Sequence, residues 1–385
     1  MRIAYLVNAP RQHLTGAANR ALSLAESAAA RGDRALIVGP AECGLELAAR
    51  ERTIAFAPTR FSAGIASWWQ LHRTLAAFRP DVVHAMSAAP LALAYPGLLL
   101  GVRGASGRGR GRVARFVSVV VDPDSTQVFA DGQARPATTA RRNRMLARMS
   151  RSLDGVFAVS EPVRERLESL GVTGAVTLGG AAVDIDDLTR RAQEPIALPL
   201  GRPRIGSAVG QLEPLKGVDY LLRAFAQLTD EFPDAICLIA GSGSQQAQLE
   251  SLAAELGIGS RVRFLGYLTE PAPFLAALDL HVHPSLSEGL GSVTAQAMAL
   301  GVPVVATAVR GSSDVVTDGV TGLLVPPADS DALASAMTEL LRDDDRARQL
   351  AENGRADIAA HHSAAAFADA TWDRYEQALA ARRAR

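Results

Sequence analysis

Short apolar runs alternate with longer amphipathic stretches along this chain of 385 residues. Five runs in the first half have the length and apolar character of buried strands in a parallel sheet. They are RIAYLV at 2–7, ALIVG at 35–39, VVHAM at 82–86, FVSVVV at 116–121 and GVFAVS at 155–160. Stretches with helical spacing, such as ALSLAESAAARG at 21–32, separate them. This alternation predicts an α/β fold with a parallel sheet and helices on both of its faces.

The same alternation of strand-like and helical stretches begins again at residue 204. The further strand-like runs are RIGSAVG at 204–210, AICLIAG at 235–241, VRFLG at 262–266, LHVHP at 280–284, VPVVAT at 302–307 and GLLVP at 322–326. The segment RRAQEPIALPLGRPR at 190–204, with three prolines, breaks any continuing element between the halves. A chain of this length also exceeds the size at which one core keeps growing. We therefore predict two Rossmann-like domains, 1–195 and 196–364.

Composition excludes several classes of protein. Apolar residues make up 48% and charged residues 21%, and the formal net charge of +0 gives no overall attraction to nucleic acid or membranes. The longest apolar run, at 89–102, is too short and too interrupted by proline to span a bilayer. Arg11 comes too early for the apolar region of a secretory signal. Cys43 and Cys237, the only cysteines, imply neither a disulfide framework nor a zinc site. We expect a cytoplasmic protein without a nucleic-acid partner or an integral membrane segment, and the oligomeric state stays open.

Lysine usage singles out one residue. Of 40 basic residues, 39 are Arg and one is Lys216. A compact ammonium on a flexible stem suits a phosphate oxygen in a tight pocket. Lys216 follows the first strand of the second half, at the edge where open α/β sheets bind ligands. A surface lysine without a role is the plain alternative, but this position favours a binding role.

The segment LHVHPSLSEGLGSVTAQAMALGVPVVAT at 280–307 carries the strongest signal. It reads as a strand, a loop of small residues and a helix that begins near Gly291. A helix N-terminus offers unpartnered N–H groups with the helix dipole behind them, and therefore suits a diphosphate. We expect backbone contacts from Gly289, Leu290, Gly291 and Ser292.

Glu288 lies just before this helix and would repel a phosphate unless it faces another part of the ligand. Sugar hydroxyls are the natural partner, because an ionised carboxylate accepts several charge-assisted hydrogen bonds, each worth about 1.5–3 kcal/mol. A carboxylate that only complements the helix dipole is the alternative. The GSGS sequence at 241–244 ends another strand at the same edge, so three loops converge there.

The second half resembles the nucleotide-sugar domain of the family 4 retaining glycosyltransferases, which have the GT-B architecture. The matching segments, in family order, are VGQLEPLKG, IAGSGS, VRFLGYL, HPSLSEGLG with AMALGVPVVAT, and VTDGVTGLLVPP. The first half resembles the family more loosely, through TG at 15–16, RGD at 31–33, PDVVHAMS at 80–87 and VFAVSEPVRERL at 156–167. The resemblance implies two Rossmann-like domains that face each other across a cleft, with the terminal helix at 365–385 crossing back onto the first.

The resemblance also implies roles for individual residues. Lys216 would contact the diphosphate of the donor, and Glu288 the hydroxyls of the donated sugar. The residues assigned to donor binding are Gly16, Gln211, Gly241, Gly243, Tyr267, Leu268, Ser285, Gly289, Leu290, Gly291, Ser292 and Gln296. Those assigned to the sugar or acceptor side are His84, Asp122 and Arg310. For His84, a buried structural role is nearly as good an interpretation.

Three positions depart from the family pattern. Gln211 stands where the family has Arg, Gln296 where it has a second Glu, and Val121 or Asp122 where it has His. Gln296 still offers an amide oxygen to the ribose, but without the charge of a carboxylate. One cation and one carboxylate are thus lost together, and our hypothesis is that the two exchanges compensate. Arg310 is a candidate replacement cation.

Other charged clusters suggest no metal. The acids at 122–124, 184–187 and 343–345 read as turn and helix-end residues. We expect no metal and no cofactor beyond a nucleoside-diphosphate sugar as co-substrate. Residues 101–151 contain eleven Arg against three Asp, which indicates either a solvated basic face or a surface for an anionic acceptor.

Together these features predict transfer of a glycosyl group from a nucleoside-diphosphate sugar to a small-molecule acceptor, with retention at the anomeric carbon and with specialised metabolism as one setting. A sugar-nucleotide epimerase of GT-B architecture is one alternative. A sugar-nucleotide-binding protein that has lost activity is another, motivated by the three departures. The base, the sugar and the acceptor stay open.

Overall fold

The chain forms two compact units of secondary structure. The computed structural model describes residues 1–8, 16–59, 65–87, 113–119, 126–128, 134–136, 140–159, 161–177, 181–288 and 290–384. The first unit comprises Met1–Ala182 together with Ala364–Arg385, and the second comprises Val183–Ser363. Each unit is an α/β domain built on a parallel sheet, as predicted.

In its described part, the first unit contains a parallel sheet of seven strands in the order β3-β2-β1-β4-β5-β8-β9. The strands are β1 Arg2–Leu6, β2 Arg34–Gly39, β3 Ala55–Pro58, β4 Val82–Ala85, β5 Ala114–Val119, β8 Gly155–Ala158 and β9 Ala175–Thr177. A separate antiparallel pair consists of β6 Thr126–Val128 and β7 Ala134–Pro136. The five predicted strands are present. The edge strands β3 and β9 were not predicted, because their short apolar runs give too weak a signal.

Helices cover both faces of this first sheet. They are α1 Gly16–Ala30, α2 Gly44–Glu51, α3 Ile65–Phe78, α4 Ala140–Ser150 and α5 Glu161–Ser169. Neighbouring residues of β1 belong to different cores: Ile3 and Tyr5 to one, Ala4 and Leu6 to the other. Because strand side chains alternate between faces, both faces of the sheet are buried.

The second unit repeats this design with a parallel sheet of six strands in the order β12-β11-β10-β13-β14-β15. The strands are β10 Arg204–Gln211, β11 Ile236–Ser242, β12 Val262–Gly266, β13 Leu280–His283, β14 Val304–Thr307 and β15 Leu323–Val325. All six predicted strands are present, with small shifts at their ends. The helices are α6 Ile185–Arg191, α7 Val218–Leu228, α8 Gln246–Glu255, α9 Ala272–Ala276, α10 Ser292–Ala299, α11 Ser330–Arg342 and α12 Asp344–Asp357.

The N-terminal stretch of the first unit ends at Ala182, whereas the sequence predicted a boundary at 195. The reason is helix α6, which packs within the second unit. Leu188 on this helix is buried, and Arg191 forms an ion pair with Glu270 at 2.7 Å. The proline-rich segment at 190–204 therefore lies inside the second unit and leads into β10.

The last helix, α13 Ala364–Arg383, belongs to the first unit. Its side chains Trp372 and Tyr375 are fully buried, and Trp372 Nε1 donates to Ser27 Oγ at 2.9 Å. Near its end, Arg382 forms a two-point ion pair with Asp154 at 2.6 and 2.7 Å. These contacts fix α13 against α1 and the first sheet. No helix within the described residues is both long enough and apolar enough to cross a membrane.

Candidate functional site

Two loops meet at the carboxyl edge of the second sheet. One follows β10 and forms a single 3-10 turn, Pro214–Lys216. The other follows β13 and leads to α10. Strands β10 and β13 are parallel neighbours, so their carboxyl ends lie side by side. The Leu286 N–H donates to the Leu215 carbonyl at 2.8 Å and joins the two loops directly.

Gly217 makes this close approach possible. Its φ of +59° lies in the left-handed region, and a Cβ atom there would overlap the carbonyl oxygen of Pro284. Any other residue would therefore be strained in the backbone and would push the two loops apart. Glycine at this position holds Lys216 next to the loop that carries Glu288.

Lys216 and Glu288 form an ion pair at the junction of these loops. The distance from Lys216 Nζ to Glu288 Oε2 is 2.6 Å, and the two side chains are 22% and 16% exposed. His283 Nε2 lies 3.0 Å from the same oxygen, and Ser285 Oγ donates to it at 3.3 Å. Three groups thus converge on one carboxylate oxygen and fix its orientation.

The charge of Glu288 follows from these contacts. Burial alone would raise the pKa of its carboxyl, but the hydrogen bond with His283 and the charge of Lys216 outweigh it and lower the pKa to about 2. An ionised carboxylate accepts hydrogen bonds and donates none, so His283 Nε2 must carry the proton. Glu288 is therefore an anion at neutral pH, held by Lys216 and by hydrogen bonds from His283 and Ser285.

Buried hydrogen bonds hold the loop that carries Glu288. Ser285 is fully buried, and its hydroxyl contacts His283 Nε2 at 3.1 Å. Thr307, at the end of β14, donates from its hydroxyl to the carbonyl oxygen of Ser285. The loop after β13 is therefore anchored to the neighbouring strand, and Ser285, assigned to donor binding from the sequence, holds Glu288 in place.

The start of α10 differs in detail from the expectation of free N–H groups. The Gly291 N–H donates to the Gly311 carbonyl at 3.1 Å, and the Ser292 N–H is bonded to the Leu290 carbonyl. Leu290 itself is buried. These two N–H groups are not free here, so the helix start offers an anion its dipole and the amides further into the first turn. Gly289 lies outside the described residues.

The two glutamines that replace charged residues sit in different surroundings. Gln211 ends β10 and is exposed at the carboxyl edge. Gln296 lies on α10 and is half-buried, and its buried Oε1 atom accepts no hydrogen bond from any described residue. A buried acceptor without a donor is unfavourable unless a ligand supplies one. The amide oxygen of Gln296 is therefore suited to a hydroxyl donor.

Gly241 and Gly243 have a packing role. A Cβ atom on Gly243 would overlap the backbone of Leu212, and one on Gly241 would crowd Val209 and the Gly210 carbonyl. The Leu212 N–H donates to the Ser242 carbonyl at 3.0 Å. These glycines bring the loop after β11 against the loop that leads to Lys216, and their assignment to donor contact stays a prediction.

Three further predicted residues lie at the same edge. Tyr267 and Leu268 follow β12, and Tyr267 is 45% exposed, so its ring is accessible to a ligand. Arg310 is exposed after β14, next to Gly311, whose carbonyl accepts from the Gly291 N–H. The turn that carries Arg310 therefore packs against the start of α10. This position is compatible with the prediction that Arg310 is a replacement cation, which stays a prediction.

His84 does not act from an open surface. It lies in β4, fully buried, with Nδ1 2.6 Å from Tyr375 Oη and Nε2 2.8 Å from Ser118 Oγ. Burial and, secondarily, the charge of Arg20 lower its pKa to about 3, so the imidazole is neutral. Both ring nitrogens are engaged in the core, which favours the structural interpretation of His84, and its assignment to the acceptor side stays a prediction. Asp122 lies outside the described residues, and Gly16 is the first residue of α1.

His283 is the residue that the sequence analysis missed. In the sequence it is one of two histidines in the strand LHVHP, and a polar ring where a buried strand meets a site loop is a signal. His281 and His283 share a face of β13 and stack with centroids 6.1 Å apart. Gly217 was overlooked as well, because only the structure shows what its Cβ atom would meet.

A groove of about 750 Å³ lies elsewhere in the second unit. Its lining includes Pro203, Asp279 and Pro303, which precede β10, β13 and β14. It therefore lies at the amino edge of the sheet, whereas ligands of open parallel sheets bind at the carboxyl edge. Among the described side chains, no three His, Cys, Asp or Glu residues converge as they would at a metal site.

Comparison with known proteins agrees with this geometry. Residues 190–357 match the family model described as glycosyl transferases group 1, and residues 14–187 match the one described as glycosyltransferase family 4. The two matches divide the chain much as its two units do.

Curated relatives carry glycosyltransferase names. A lipopolysaccharide core biosynthesis glycosyltransferase, LpsE, of Rhizobium meliloti is 31% identical over 60% of this chain and 66% of its own length. The alpha-D-kanosaminyltransferase of Streptomyces kanamyceticus is 35% identical over 48% of this chain and 49% of its own. The chain thus spans half to two thirds of the length of these relatives.

The same fold occurs in solved structures. A crystal structure of Anabaena Alr3699/HepE in complex with UDP superposes with a TM-score of 0.78 at 20% identity, covering 98% of this chain and 100% of that one. With both halves matched by glycosyltransferase models and the fold shared across nearly the whole chain, this protein belongs to the family 4 (group 1) glycosyltransferases of GT-B architecture.

Proposed function

We propose that this protein transfers a glycosyl group from a nucleoside-diphosphate sugar to a small-molecule acceptor. The observation that carries this proposal is the ion pair between Lys216 and Glu288 beside the start of α10. A cation next to a helix N-terminus suits a diphosphate, and a fixed carboxylate beside it suits sugar hydroxyls. A nucleoside-diphosphate sugar contains these two groups next to each other.

Lys216 keeps capacity for the donor although it is paired. Its ammonium has three N–H donors, of which one is directed to Glu288. The other two suit the phosphate oxygens of the leaving group. Charge develops on those oxygens as the anomeric bond breaks, so a positioned cation and a helix dipole lower the barrier.

Glu288 has the complementary task. Because Lys216, His283 and Ser285 all hold its Oε2 atom, the carboxylate is fixed before any sugar arrives. A preorganised acceptor costs little entropy when the sugar hydroxyls bind. Glu288 therefore selects and orients the sugar and leaves proton transfer to other groups.

We propose retention at the anomeric carbon, as the family resemblance implies. The bond from the anomeric carbon to the phosphate oxygen breaks, with its electron pair leaving on the diphosphate. The acceptor hydroxyl oxygen bonds to the same face of the sugar, and its proton passes to the departing phosphate oxygen. This path needs neither a protein base nor a metal, in keeping with our expectation of metal independence.

The decisive test is acceptor-dependent release of nucleoside diphosphate. UDP is the nucleotide in the related Anabaena structure, so UDP-sugars are the first donors to assay, followed by GDP-, ADP- and dTDP-sugars. A Streptomyces relative is named alpha-D-kanosaminyltransferase, and specialised-metabolite acceptors are a rational first set. NMR spectroscopy of the glycosylated product then determines its anomeric configuration.

The same assay separates the alternatives. A transferase releases nucleoside diphosphate only when an acceptor is present. An epimerase changes the sugar without consuming an acceptor, and a binding protein does neither while the nucleotide still raises its melting temperature. Release of diphosphate in none of the donor and acceptor combinations, with nucleotide binding intact, would refute the proposed transfer.

A further inference from the structure

The first unit contains a buried cation that the donor site does not use. Arg20 lies on α1 and is only 5% exposed. Its Nε and Nη1 atoms are buried, and no described residue accepts a hydrogen bond from either of them. A guanidinium with two buried donor atoms left over is suited to an oxyanion, whose oxygens accept charge-assisted hydrogen bonds.

Such an arrangement is unfavourable for the protein alone. Burial lowers the pKa of Arg20 to about 10, so the side chain is still protonated at neutral pH. A buried charge without a partner costs several kcal/mol, and buried charges in proteins are normally paired. We therefore expect a counter-ion next to the buried charge of Arg20.

The polar groups around Arg20 do not supply a counter-ion. His84, on β4, is near enough for the charge of Arg20 to contribute to lowering its pKa. His84 is bonded to Ser118 of β5 and to Tyr375 of α13, and Tyr375 is bonded in turn to Tyr5 of β1. These four groups are neutral and bond among themselves.

Carboxylates beside β2 and on α13, two elements that contact α1, are paired with other groups. Asp33, whose charge acts on Tyr5, is paired with the N-terminal ammonium of Met1. Glu376, on α13, is paired with Arg31 at 2.6 Å. No ion pair within the described part of the first unit includes Arg20, so these residues leave its charge to be balanced by a bound anion.

The direction of Arg20 indicates where that anion sits. Side chains of a helix lean toward its N-terminus, so we expect the guanidinium of Arg20, in the second turn of α1, on the side of the first turn. The helix dipole adds positive potential at that end. His84 is near the carboxyl end of β4, which places the cluster at the ligand-binding edge of the first sheet.

We propose that Arg20 anchors an oxyanion site at the start of α1 that takes a phosphate or carboxylate group of the acceptor. The anion site rests on the geometry of the first unit alone. Its connection to an acceptor rests on the proposed function. An acceptor with such a group would be held by charge-assisted hydrogen bonds from the guanidinium.

Thermal unfolding in increasing inorganic phosphate tests the site without requiring activity. One variant is Arg20→Met, which keeps the approximate length of the side chain but removes the charge. The other is Arg20→Lys, which keeps the charge but lacks the planar guanidinium group. Arg50→Met, at an exposed arginine of α2 that pairs with Glu46, is the matched control. Phosphate should raise the melting temperature of the wild type and of Arg50→Met, because a ligand that binds the folded state stabilises it.

Without phosphate, Arg20→Met should melt at or above the wild-type temperature, because an unpaired buried charge has been removed. It should show no response to phosphate, whereas Arg20→Lys should respond with weaker affinity. A phosphate response in Arg20→Met equal to that of the wild type would overturn the proposal. So would a response of the wild type no larger than that of an equal concentration of chloride.

Calorimetric titration with UDP separates the two sources of an oxyanion. The proposal expects Arg20→Met to bind UDP as the wild type does. A loss of about tenfold or more in UDP affinity would assign the anion to the nucleotide and overturn the acceptor assignment. If Arg20 governs the phosphate response but no acceptor-dependent transfer is found, the anion site stands and the proposed function fails.

Discussion

Lys216 Nζ lies 2.6 Å from Glu288 Oε2, although 72 residues separate the two along the chain. The contact joins the loops that follow two neighbouring parallel strands, β10 and β13. It places the cation and the carboxylate of the proposed donor site in direct contact before any ligand binds.

Replacement of Gly217 by Ala should separate the two loops. The added Cβ atom would overlap the Pro284 carbonyl, and φ at this residue is +59°. Gly210→Ala is a matched control, since Gly210 has φ of +69° but no atom lies within 4 Å of the place its Cβ atom would take. We expect about 1 kcal/mol of destabilisation from the control and clearly more from Gly217→Ala, by urea unfolding. Equal losses in the two variants would show that the close approach to Pro284 is unimportant.

Glu288→Gln should remove a stabilisation that depends on pH. Because the folded-state pKa of Glu288, about 2, lies below the usual unfolded value, the stabilisation is complete above the unfolded pKa and disappears as pH falls toward 2. The difference in free energy of unfolding between wild type and variant should be on the order of 3 kcal/mol near pH 6 and shrink below pH 4.5. Urea unfolding between pH 3 and 7 measures it. A difference that does not change with pH would contradict the assigned ion pair.

His283 should act as a positioning residue for Glu288. His283→Ala removes the 3.0 Å contact with the carboxylate, so the pKa of Glu288 should rise toward its ordinary range. His281→Ala is the control, because His281 is equally buried on the same strand. Carboxyl-carbon NMR titration reads the pKa directly, and a merely structural loss would leave it unchanged. Turnover should fall more in His283→Ala than in His281→Ala.

The two glutamines should be coupled. Gln296→Glu alone places a carboxylate where the Gln296 amide oxygen is buried without a partner, and should weaken nucleotide binding. Gln211→Arg in that background should recover much of the loss, because the added cation balances the added anion. A double-mutant cycle of UDP affinities gives the coupling energy. If Gln211→Arg alone tightened binding as much as the double variant, the two exchanges would be independent.

The sequence predicts the architecture well because the fold depends on repeated apolar patterns. The strands that carry the site loops, β10 and β13, are largely buried, and parallel topology then determines which of their ends meet. Lys216 and Glu288 are recognisable because they stand in loops at those ends. Topology predicts that their loops lie side by side, whereas the ion pair between them also depends on Gly217.

Other features depend on contacts that no local pattern records. The hydrogen bond from His283 to Glu288, the overlap that Gly217 avoids and the closed network around His84 become visible only when distant segments are packed. The position of His84 at a strand end is compatible with both a surface role and a core role. Only its contacts with Ser118 and Tyr375 decide for the core.

The most direct test of the account is the turnover of Lys216→Met in acceptor-dependent transfer. Met keeps the length of the side chain and removes the ammonium, so the departing diphosphate loses its positioned cation. We predict that kcat/KM falls by about 10²–10³, the loss typical for one electrostatic group that stabilises a transition state. Arg223→Met, on α7 of the same unit, should retain wild-type turnover. A Lys216→Met enzyme with near-normal kcat/KM would contradict the central role assigned to the Lys216–Glu288 site.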